Sequence, residues 1–178
     1  MKPADVVTFW AKAGPKAWFS KSAAFDAEIR ERFEALHHAA ARGELDGWAE
    51  TAEGALALLL LLDQFPRNMF RGSPHAFATD PLARKVARLA VDRGFDRQAA
   101  PELRQFFYLP FEHSEHPEDQ DQGVALCAES GDADLVKWAG IHRDIITRFG
   151  RFPHRNASLG RTSSEEEQAF LKGGGFSG

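Results

Sequence analysis

Length, composition and charge restrict what this chain can be. Its 178 residues, 43% of them hydrophobic, suffice for one domain with a sizeable core. The formal net charge of −4 at pH 7 argues against a general nucleic-acid binder, because such proteins need a net basic surface to displace counterions. The single cysteine leaves no intrachain disulfide and no metal cluster built on cysteines.

The sequence also lacks the features of an exported or membrane protein. Its first residues contain no apolar run of signal-peptide length. The longest apolar stretch, 55–62, is much shorter than the ~20 residues that cross a bilayer. We therefore expect a cytoplasmic protein with no membrane partner.

The first half of the chain has helical periodicity throughout. Apolar residues predict a short helix around 6–10 and, at steps of three and four, a longer helix over 23–41. Thr51 resembles the N-cap of a third helix, whose stretch 55–62 is apolar on every side. Because such a helix must be surrounded by protein, we expect it at the centre of the fold, with its carboxyl end at Asp63.

Prolines and acidic caps place the helices that follow. Asp80 and Pro81 predict an N-cap and the first residue of a helix. Pro101 begins another helix, which is expected to be strained or to end near Pro110, and Pro117 begins the next one.

Two further helices complete the prediction of the fold. Asp132 or Asp134 caps a long helix that ends at Phe149, and a short helix follows the Ser-Ser-Glu-Glu-Glu segment. No stretch alternates with the period of two that a strand needs. The sequence therefore predicts an all-α protein of about eight helices in antiparallel pairs. Residues 1–172 are expected to form a single domain and 173–178 a flexible tail.

One short motif occurs twice. Phe65-Pro66-Arg67-Asn68 follows the central helix, and Phe152-Pro153-His154-Arg155-Asn156 follows the long C-terminal helix. Proline disfavours the α conformation in the residue before it. Both copies are therefore predicted to leave the helix and start a turn, which hints at a duplicated helix-turn-helix unit.

Charge is unevenly distributed along the second half of the chain. Segment 112–121 contains five acidic residues and two histidines, whereas segment 143–161 contains five arginines and one aspartate. Because opposite charges attract across a fold, we predict that these two segments meet.

Three charged clusters at helix ends form the candidate site. They occupy 63–68, 111–116 and 142–156, each beside strongly apolar sequence. The side chains that we expect to bind a ligand are Asp63, Arg67, Asn68, Glu112, His113, Arg148, Arg151, His154, Arg155 and Asn156.

Asp63 is the most informative of these residues. The helix dipole disfavours an acid at the carboxyl end of a helix by ~0.3–1 kcal/mol, and the apolar neighbours of Asp63 limit its access to water. It therefore needs a cation, and Arg67, Arg148, Arg151 and Arg155 are the candidates. The resulting network either lines a pocket or is an ion pair that ties two helix ends together, and both interpretations stay open.

Segment 112–116 admits three interpretations. Glu112, His113, Glu115 and His116 combine carboxylate with imidazole, as zinc and iron sites do, but no HExxH motif accompanies them and we assign no metal ligand. Glu112 and His113 also suit general acid–base chemistry. Alternatively, Glu112 and Glu115 pair with the arginines of 143–161.

Two other polar residues are expected to be structural. Cys127 lies among apolar residues, which predicts a buried, inert thiol. His142 lies on the apolar stripe of its helix, which is typical of a core histidine with one satisfied nitrogen.

Four stretches of the sequence resemble those of a widespread bacterial family of uncharacterised proteins, known as a domain of unknown function. They are LLDQFPRNMFRG, ATDPLAR, FFYLPFEHSE and HRDIITRFGRFPHRNASLGR. The resemblance extends from about Val7 to Phe170. It implies an α-α superhelix similar to that of tetratricopeptide-repeat proteins, and it implies no activity, substrate or cofactor.

The leading hypothesis is a helical binding module. Arg67, Arg148, Arg151 and Arg155 would hold a peptide segment or a small anionic molecule, because the guanidinium fork matches carboxylate and phosphate. The alternatives are a hydrolase-like enzyme that uses Glu112, His113 and Asp63, and a purely structural role for the charged clusters. No cofactor, catalytic residue or nucleic-acid partner is assigned, and a homodimer is left open.

Overall fold

A computed structural model describes residues 1–176 of the chain. All regular structure in this range is helical, and eight of its α-helices have at least seven residues. The prediction of an all-α protein with about eight helices is therefore confirmed. None of the described helices has both the length and the apolar character needed to cross a membrane.

The chain divides into two compact units, and the division falls after Pro110. The first unit comprises Met1–Arg71 and His75–Pro110, and the second comprises Gly72–Pro74 and the chain from Phe111 onward. The single-domain assignment and the superhelical arrangement stay predictions.

The first unit contains α1 (Pro3–Ala13), α2 (Pro15–Trp18), α3 (Ala23–Ala41), α4 (Ala52–Leu59), α5 (Phe65–Met69), α6 (Asp80–Asp92) and most of α7 (Gln105–Glu112). Short 3-10 turns occupy Asp46–Glu50, Pro74–Phe77, Asp96–Gln98 and Pro101–Leu103. The second unit contains α8 (Pro117–Ser130), α9 (Ala133–Phe149), a 3-10 turn at Pro153–Arg155 and α10 (Glu165–Lys172).

Local signals account for most helix starts. Thr51 accepts a hydrogen bond from the Gly54 amide at the start of α4, and Asp132 accepts from the Asp134 amide at the start of α9. Ser164 and Glu167 form a reciprocal capping box at the start of α10. Each cap satisfies an amide that the first turn of a helix leaves without a partner, which is why the sequence predicts these boundaries well.

Aromatic rings fill the core of the first unit. The rings of Phe9 and Phe65 lie against Phe33, each pair with centroids 4.9 Å apart. Trp10 packs edge-on against Phe106 at 5.6 Å and is fully buried. Helix α4 is buried from Gly54 through Leu59, as expected for a helix that is apolar on every side.

In the second unit, α8 and α9 form the most extensive helix pair. Only Gly131 and Asp132 separate the two helices, and Gly131 takes the left-handed conformation that ends α8. So short a connection reverses the chain, which agrees with the predicted antiparallel pairing.

Two predicted boundaries were wrong. Pro101 begins a 3-10 turn and α7 starts only at Gln105, whereas Pro110, near which this helix was expected to be strained or to end, lies inside it two residues before its end at Glu112. Asp80 is not an N-cap, because α6 begins at Asp80 itself and Thr79 occupies the cap position without a side-chain cap bond. The Asp80 carboxylate is instead engaged by Arg67, which a search for local caps could not reveal.

The predicted tail begins with ordered contacts. Gly174 has a φ of 81° and Phe176 packs against the core of the second unit. Residues 177 and 178, the end of the predicted tail, lie outside the described residues. The flexibility of the tail stays a prediction.

Candidate functional site

The central helix does not end at Asp63. It continues from α4 through a π-helical turn (Leu60–Gln64) into α5, and Phe65 keeps α-helical angles with its amide bonded to the Leu60 carbonyl, five residues back. The prediction that Pro66 drives Phe65 out of the helix was therefore wrong. A π turn changes which carbonyls the backbone amides reach, so the helix passes through Pro66 without a break.

This turn removes the usual donor, the amide four residues on, from two buried carbonyls, and side chains supply hydrogen bonds to both. The Phe65 amide bypasses the Leu61 carbonyl, which accepts a hydrogen bond from Nδ1 of His37 at 2.8 Å. Pro66 has no amide proton for the Leu62 carbonyl, which accepts from the Thr79 hydroxyl at 2.5 Å. Buried carbonyls need such partners, so His37 and Thr79 complete the π turn.

The tautomer of His37 follows from this contact. A carbonyl oxygen only accepts hydrogen bonds, so Nδ1 carries the proton. Burial lowers the pKa of His37 below its ordinary value of 6.5 and outweighs the hydrogen bond to Leu61, which favours the charged form. His37 is thus a neutral donor that braces the helix.

Asp63 lies within the π turn and is 1% exposed. Its side chain accepts from Gln64 and lies 3.2 Å from the guanidinium of Arg67. Arg67 also donates to the Asp63 carbonyl and makes a two-pronged pair with Asp80, at 2.9 and 3.0 Å. One arginine is therefore shared between two buried carboxylates.

Asn68, the last residue of the first motif, also forms a hydrogen bond within the first unit. It donates to Asp26 at 2.8 Å, and Arg71 binds both oxygens of that carboxylate. Asp26 lies on α3, far from the motif in sequence. Asp63, Arg67 and Asn68, which the sequence predicted as ligand-binding residues, thus all take part in structural networks of the first unit.

Arginine–carboxylate pairs also organise the second unit. Arg161 binds both oxygens of Glu115, at 2.8 and 3.0 Å. Burial is the largest single influence and favours the neutral form of Glu115, but the hydrogen bonds from Arg161 and the Phe152 amide, together with the charges of Arg161 and Arg155, outweigh it and hold the pKa of this carboxyl below its usual range. The predicted meeting of segments 112–121 and 143–161 is confirmed by this pair.

Glu167 is the second carboxylate that such a pair holds. Arg151 binds both of its oxygens, at 2.6 and 2.8 Å, and Asn156 and the Ser164 amide donate to one of them. The hydrogen bond from Arg151 is the main cause that lowers the pKa of Glu167 to about 2. The predicted ligand residues Arg151 and Asn156 therefore join α10 to the preceding turn.

Arg148 has a different setting. It pairs with Glu166 at 2.8 Å on the surface, where both side chains are more than half exposed. Its guanidinium also lies 4.6 Å from the centre of the Phe149 ring. A surface pair of this kind contributes little to stability.

Glu112 has surroundings unlike those of the other acids. It is 2% exposed, and its carboxylate lies 3.4 Å from the Cys127 sulfur and 3.6 Å from Nδ1 of His142. Burial, with the Glu112 charge as a second cause, raises the pKa of the Cys127 thiol. The thiol is therefore protonated and does not act as a nucleophile, in agreement with its predicted structural role.

The segment around Glu112 is fixed by its own backbone contacts. The Gln120 amide group donates to the carbonyls of Glu112 and Ser114, both at 2.7 Å. The Ser114 hydroxyl donates to Asp119 at 2.6 Å. Gly123 of α8 packs closely against Phe111, because a Cβ added at Gly123 would lie 3.3 Å from the Cβ of Phe111. These contacts hold Glu112 and its neighbours in one conformation.

Three histidines from separate segments lie close together, two of them against the ring of Phe152 and the third against His142. The His142 and His154 rings lie 5.7 and 5.6 Å from Phe152, and His113 lies 6.2 Å from His142. Arg155 stacks on Phe152 at 4.6 Å and donates to the His113 carbonyl at 2.9 Å. We call His113, His142, His154 and Arg155, with the Phe152 ring, the imidazole cluster.

The sequence predicted three polar members of this cluster as ligand-binding residues, namely His113, His154 and Arg155. It assigned His142 to the core as a histidine with one satisfied nitrogen, and this is confirmed: the residue is 7% exposed and its Nδ1 donates to the Trp138 carbonyl at 2.8 Å.

Metal binding finds no support in the part of the chain that the structure describes. Its residues contain no group of three or more His, Cys, Asp or Glu side chains that could hold a metal ion.

An open groove of about 620 Å³ lies elsewhere, along α1, α2 and α3 of the first unit. Phe9 and Phe25 line it, and Lys12, Glu28 and Arg32 add charge. Its lining includes no residue that the sequence predicted as ligand-binding.

Comparisons with known proteins agree with the sequence resemblance. The family model described as "bacterial protein of unknown function (DUF924)" matches residues 6–175. The chain is also similar to a solved structure, a protein of unknown function from Agrobacterium tumefaciens, with 53% sequence identity and a TM-score of 0.93 over 96% of this chain and 97% of that one. No curated protein matches the chain. The match to the family model covers nearly the whole sequence, and the chain belongs to the DUF924 family of bacterial proteins of unknown function.

Proposed function

We propose that this protein is a helical binding module that holds a small anionic molecule, or the carboxylate of a peptide segment, at the imidazole cluster. The observation that carries the proposal is that His142, His154 and Arg155 pack on the Phe152 ring while His113 adjoins the His142 ring and its carbonyl accepts from Arg155. These residues come from three separate segments, so the fold brings donors together that the sequence spaces widely.

The chemistry of the cluster suits an anion with an apolar part. Imidazole N–H groups and a guanidinium are hydrogen-bond donors, and charge-assisted bonds to carboxylate or phosphate are stronger than neutral ones. The ring of Phe152, which is fully buried, offers an apolar wall beside them. Sites for small molecules combine few polar groups with such walls.

The other predicted arginines support the fold in this proposal. Arg67 is shared between Asp63 and Asp80, and Arg151 is held by Glu167. Each pair already supplies the carboxylate that an anionic ligand would bring. We therefore restrict the ligand-binding set to the imidazole cluster and assign Arg67 and Arg151 to internal ion pairs and Arg148 to a surface pair.

Binding is favoured over hydrolysis by the setting of the candidate bases. Arg67 and Gln64 surround the Asp63 carboxylate, which stabilises its charge and weakens it as a general base. We also propose, on the sequence features alone, that the protein works in the cytoplasm.

Thermal-shift and calorimetric titrations with phosphate, acetate and benzoate test the proposal. We expect at least one of these anions to raise the melting temperature of the wild type. His113→Ala and His154→Ala should abolish the shift, because both change half-buried rings of the cluster. Arg148→Ala is the matched control and should keep it, since this arginine pairs on the surface with Glu166.

Two outcomes would overturn the proposal. One is the absence of any stabilisation by these anions at concentrations up to the solubility of their salts. The other is binding that the two histidine variants retain and that Lys12→Ala removes, which would place the anion in the groove of the first unit. Circular dichroism of each variant shows that it is folded before it is titrated.

A further inference from the structure

We infer that Phe176 occupies an aromatic subsite of the imidazole cluster, and that the ligand carries a planar aromatic ring that takes its place. This inference rests on the proposed function, and it adds the class of the ligand: an aromatic carboxylate or a peptide that presents an aromatic side chain.

Phe176 lies among the rings of two cluster histidines and an indole. Its centroid is 4.7 Å from that of His142 and 5.2 Å from that of His154, both in edge-to-face geometry, and 6.4 Å from that of Trp138. Edge-to-face contacts between rings are specific to planar groups. The slot that holds Phe176 is therefore shaped for a flat ring.

The backbone before Phe176 is built to deliver this ring. Gly174 has a φ of 81°, which other residues rarely adopt, and it lets the chain turn back after α10. A Cβ at Gly175 would lie 2.6 Å from the Phe170 ring, so a side chain here would displace either that ring or the segment itself. The Gly175 amide donates to the Phe170 carbonyl at 3.0 Å and fixes the turn.

The same segment is suited to release the ring. Gly173, Gly174 and Gly175 gain much conformational freedom when a segment is released, because glycine populates more backbone states than any other residue. Phe176 is half-buried, and Trp138 at the side of the slot is 47% exposed. A ligand ring can therefore enter from the solvent side while the tether swings away.

An external ligand can also use the slot more fully than Phe176 does. Phe176 offers only a hydrocarbon ring to the imidazoles of His142 and His154. A ring that carries a carboxylate adds an acceptor for the imidazole and guanidinium donors of the cluster. The structure thus shows an internal ring in the position where the ligand's ring would bind.

Calorimetric titration of benzoate into variants of the full chain tests the inference. Phe176→Ala empties the slot, and Gly175→Ala displaces the tether by placing a methyl group against Phe170. We expect both variants to bind benzoate about tenfold more tightly than the wild type, because an occupant that fills the slot for most of the time weakens apparent affinity by the fraction of slots left free. Phe19→Ala, which removes an exposed phenylalanine of the first unit, should leave the affinity unchanged.

The ring requirement has its own control. Cyclohexanecarboxylate carries the same charge on a puckered ring, and we expect it to gain less than benzoate from Phe176→Ala. Equal benzoate affinity in the wild type, Phe176→Ala and Gly175→Ala would overturn the inference.

The two proposals fail in different ways. If phosphate or acetate binds and depends on His154, while benzoate gains nothing from Phe176→Ala, the inference is wrong and the proposed function stands. If no anion binds the wild type or either tether variant, the proposed function is wrong as well. If phosphate or acetate binds the wild type, benzoate binds only after Phe176→Ala, and His154→Ala then abolishes binding, both are supported.

Discussion

The Thr79→Val variant tests whether the Thr79 hydroxyl completes the π turn by donating to the Leu62 carbonyl. Valine has nearly the shape of threonine, so the change removes the hydroxyl and leaves no cavity. The Leu62 carbonyl, in a residue that is 2% exposed, then has neither the Thr79 hydroxyl nor an amide from Pro66. Leaving a buried acceptor unsatisfied costs about 1–3 kcal/mol. We expect the variant to lose about 2 kcal/mol, which corresponds to a fall in melting temperature of about 4–8 °C in a chain of this size.

Urea unfolding followed by circular dichroism measures this loss, and two controls isolate the hydroxyl. Thr79→Ser keeps the donor and should cost less than Thr79→Val. Pro66→Ala restores a backbone amide near the Leu62 carbonyl, so Thr79→Val should cost less in that background, and the double-mutant cycle gives the coupling. A loss below about 0.5 kcal/mol for Thr79→Val, which is the range of surface substitutions, would refute the assignment of Thr79 to this carbonyl.

Other changes have equally definite outcomes. Asp63→Ala should lower the free energy of unfolding by about 3 kcal/mol in urea titrations, because it removes one partner of a buried pair with Arg67. Glu167→Gln should lower the free energy of unfolding at neutral pH, because the hydrogen bond from Arg151 lowers the pKa of Glu167 to about 2 and so stabilises the charged carboxylate in the folded state. The difference between this variant and the wild type should shrink as the pH falls from about 4.5 to about 2, because protonation of Glu167 removes that stabilisation from the wild type. The pKa of His37 is lower in the folded protein than in the unfolded chain, so as the pH falls the unfolded chain binds a proton at His37 before the folded protein does. The wild type should therefore lose stability relative to His37→Asn as the pH falls below about 6.5. Unfolding followed by fluorescence measures this loss.

Helix starts were the most predictable part of the fold. The helix over 23–41 was placed to the residue, the cap at Thr51 is confirmed, and Asp132 is the cap of the two candidates that the sequence left open. These features depend on residues that are adjacent in sequence, since a cap and its amides lie within one turn. Periodicity over a long window adds the buried face.

The π turn was not predictable from local sequence. Asp63 was expected at a helix end because Pro66 follows it and proline usually ends a helix. The helix continues here because His37 and Thr79 reach the carbonyls that the turn leaves open. Their positions in sequence carry no periodic signal that links them to this turn, so the compensation appears only in three dimensions.

The choice of partners among the arginines was likewise beyond the sequence. Opposite charge predicted that 112–121 meets 143–161, which Arg161 and Glu115 confirm. Arg151 instead pairs with Glu167, which the sequence offered only as part of a helix start. Charge alone does not determine which of several arginines on neighbouring turns pairs with a given carboxylate, because these arginines lie closer together than the length of one arginine side chain.

The two Phe-Pro motifs show how one local difference separates a structural element from a candidate site. Before the first motif, Gln64 keeps α-helical angles, so Phe65 and Pro66 continue the helix and their polar neighbours are used to brace it. Before the second motif, Gly150 takes a left-handed conformation and ends α9. Phe152 is therefore extended, as proline favours for its predecessor, and a 3-10 turn follows. This geometry leaves the Phe152 ring between His142 and His154, so the glycine that ends α9 is what allows the imidazole cluster to form.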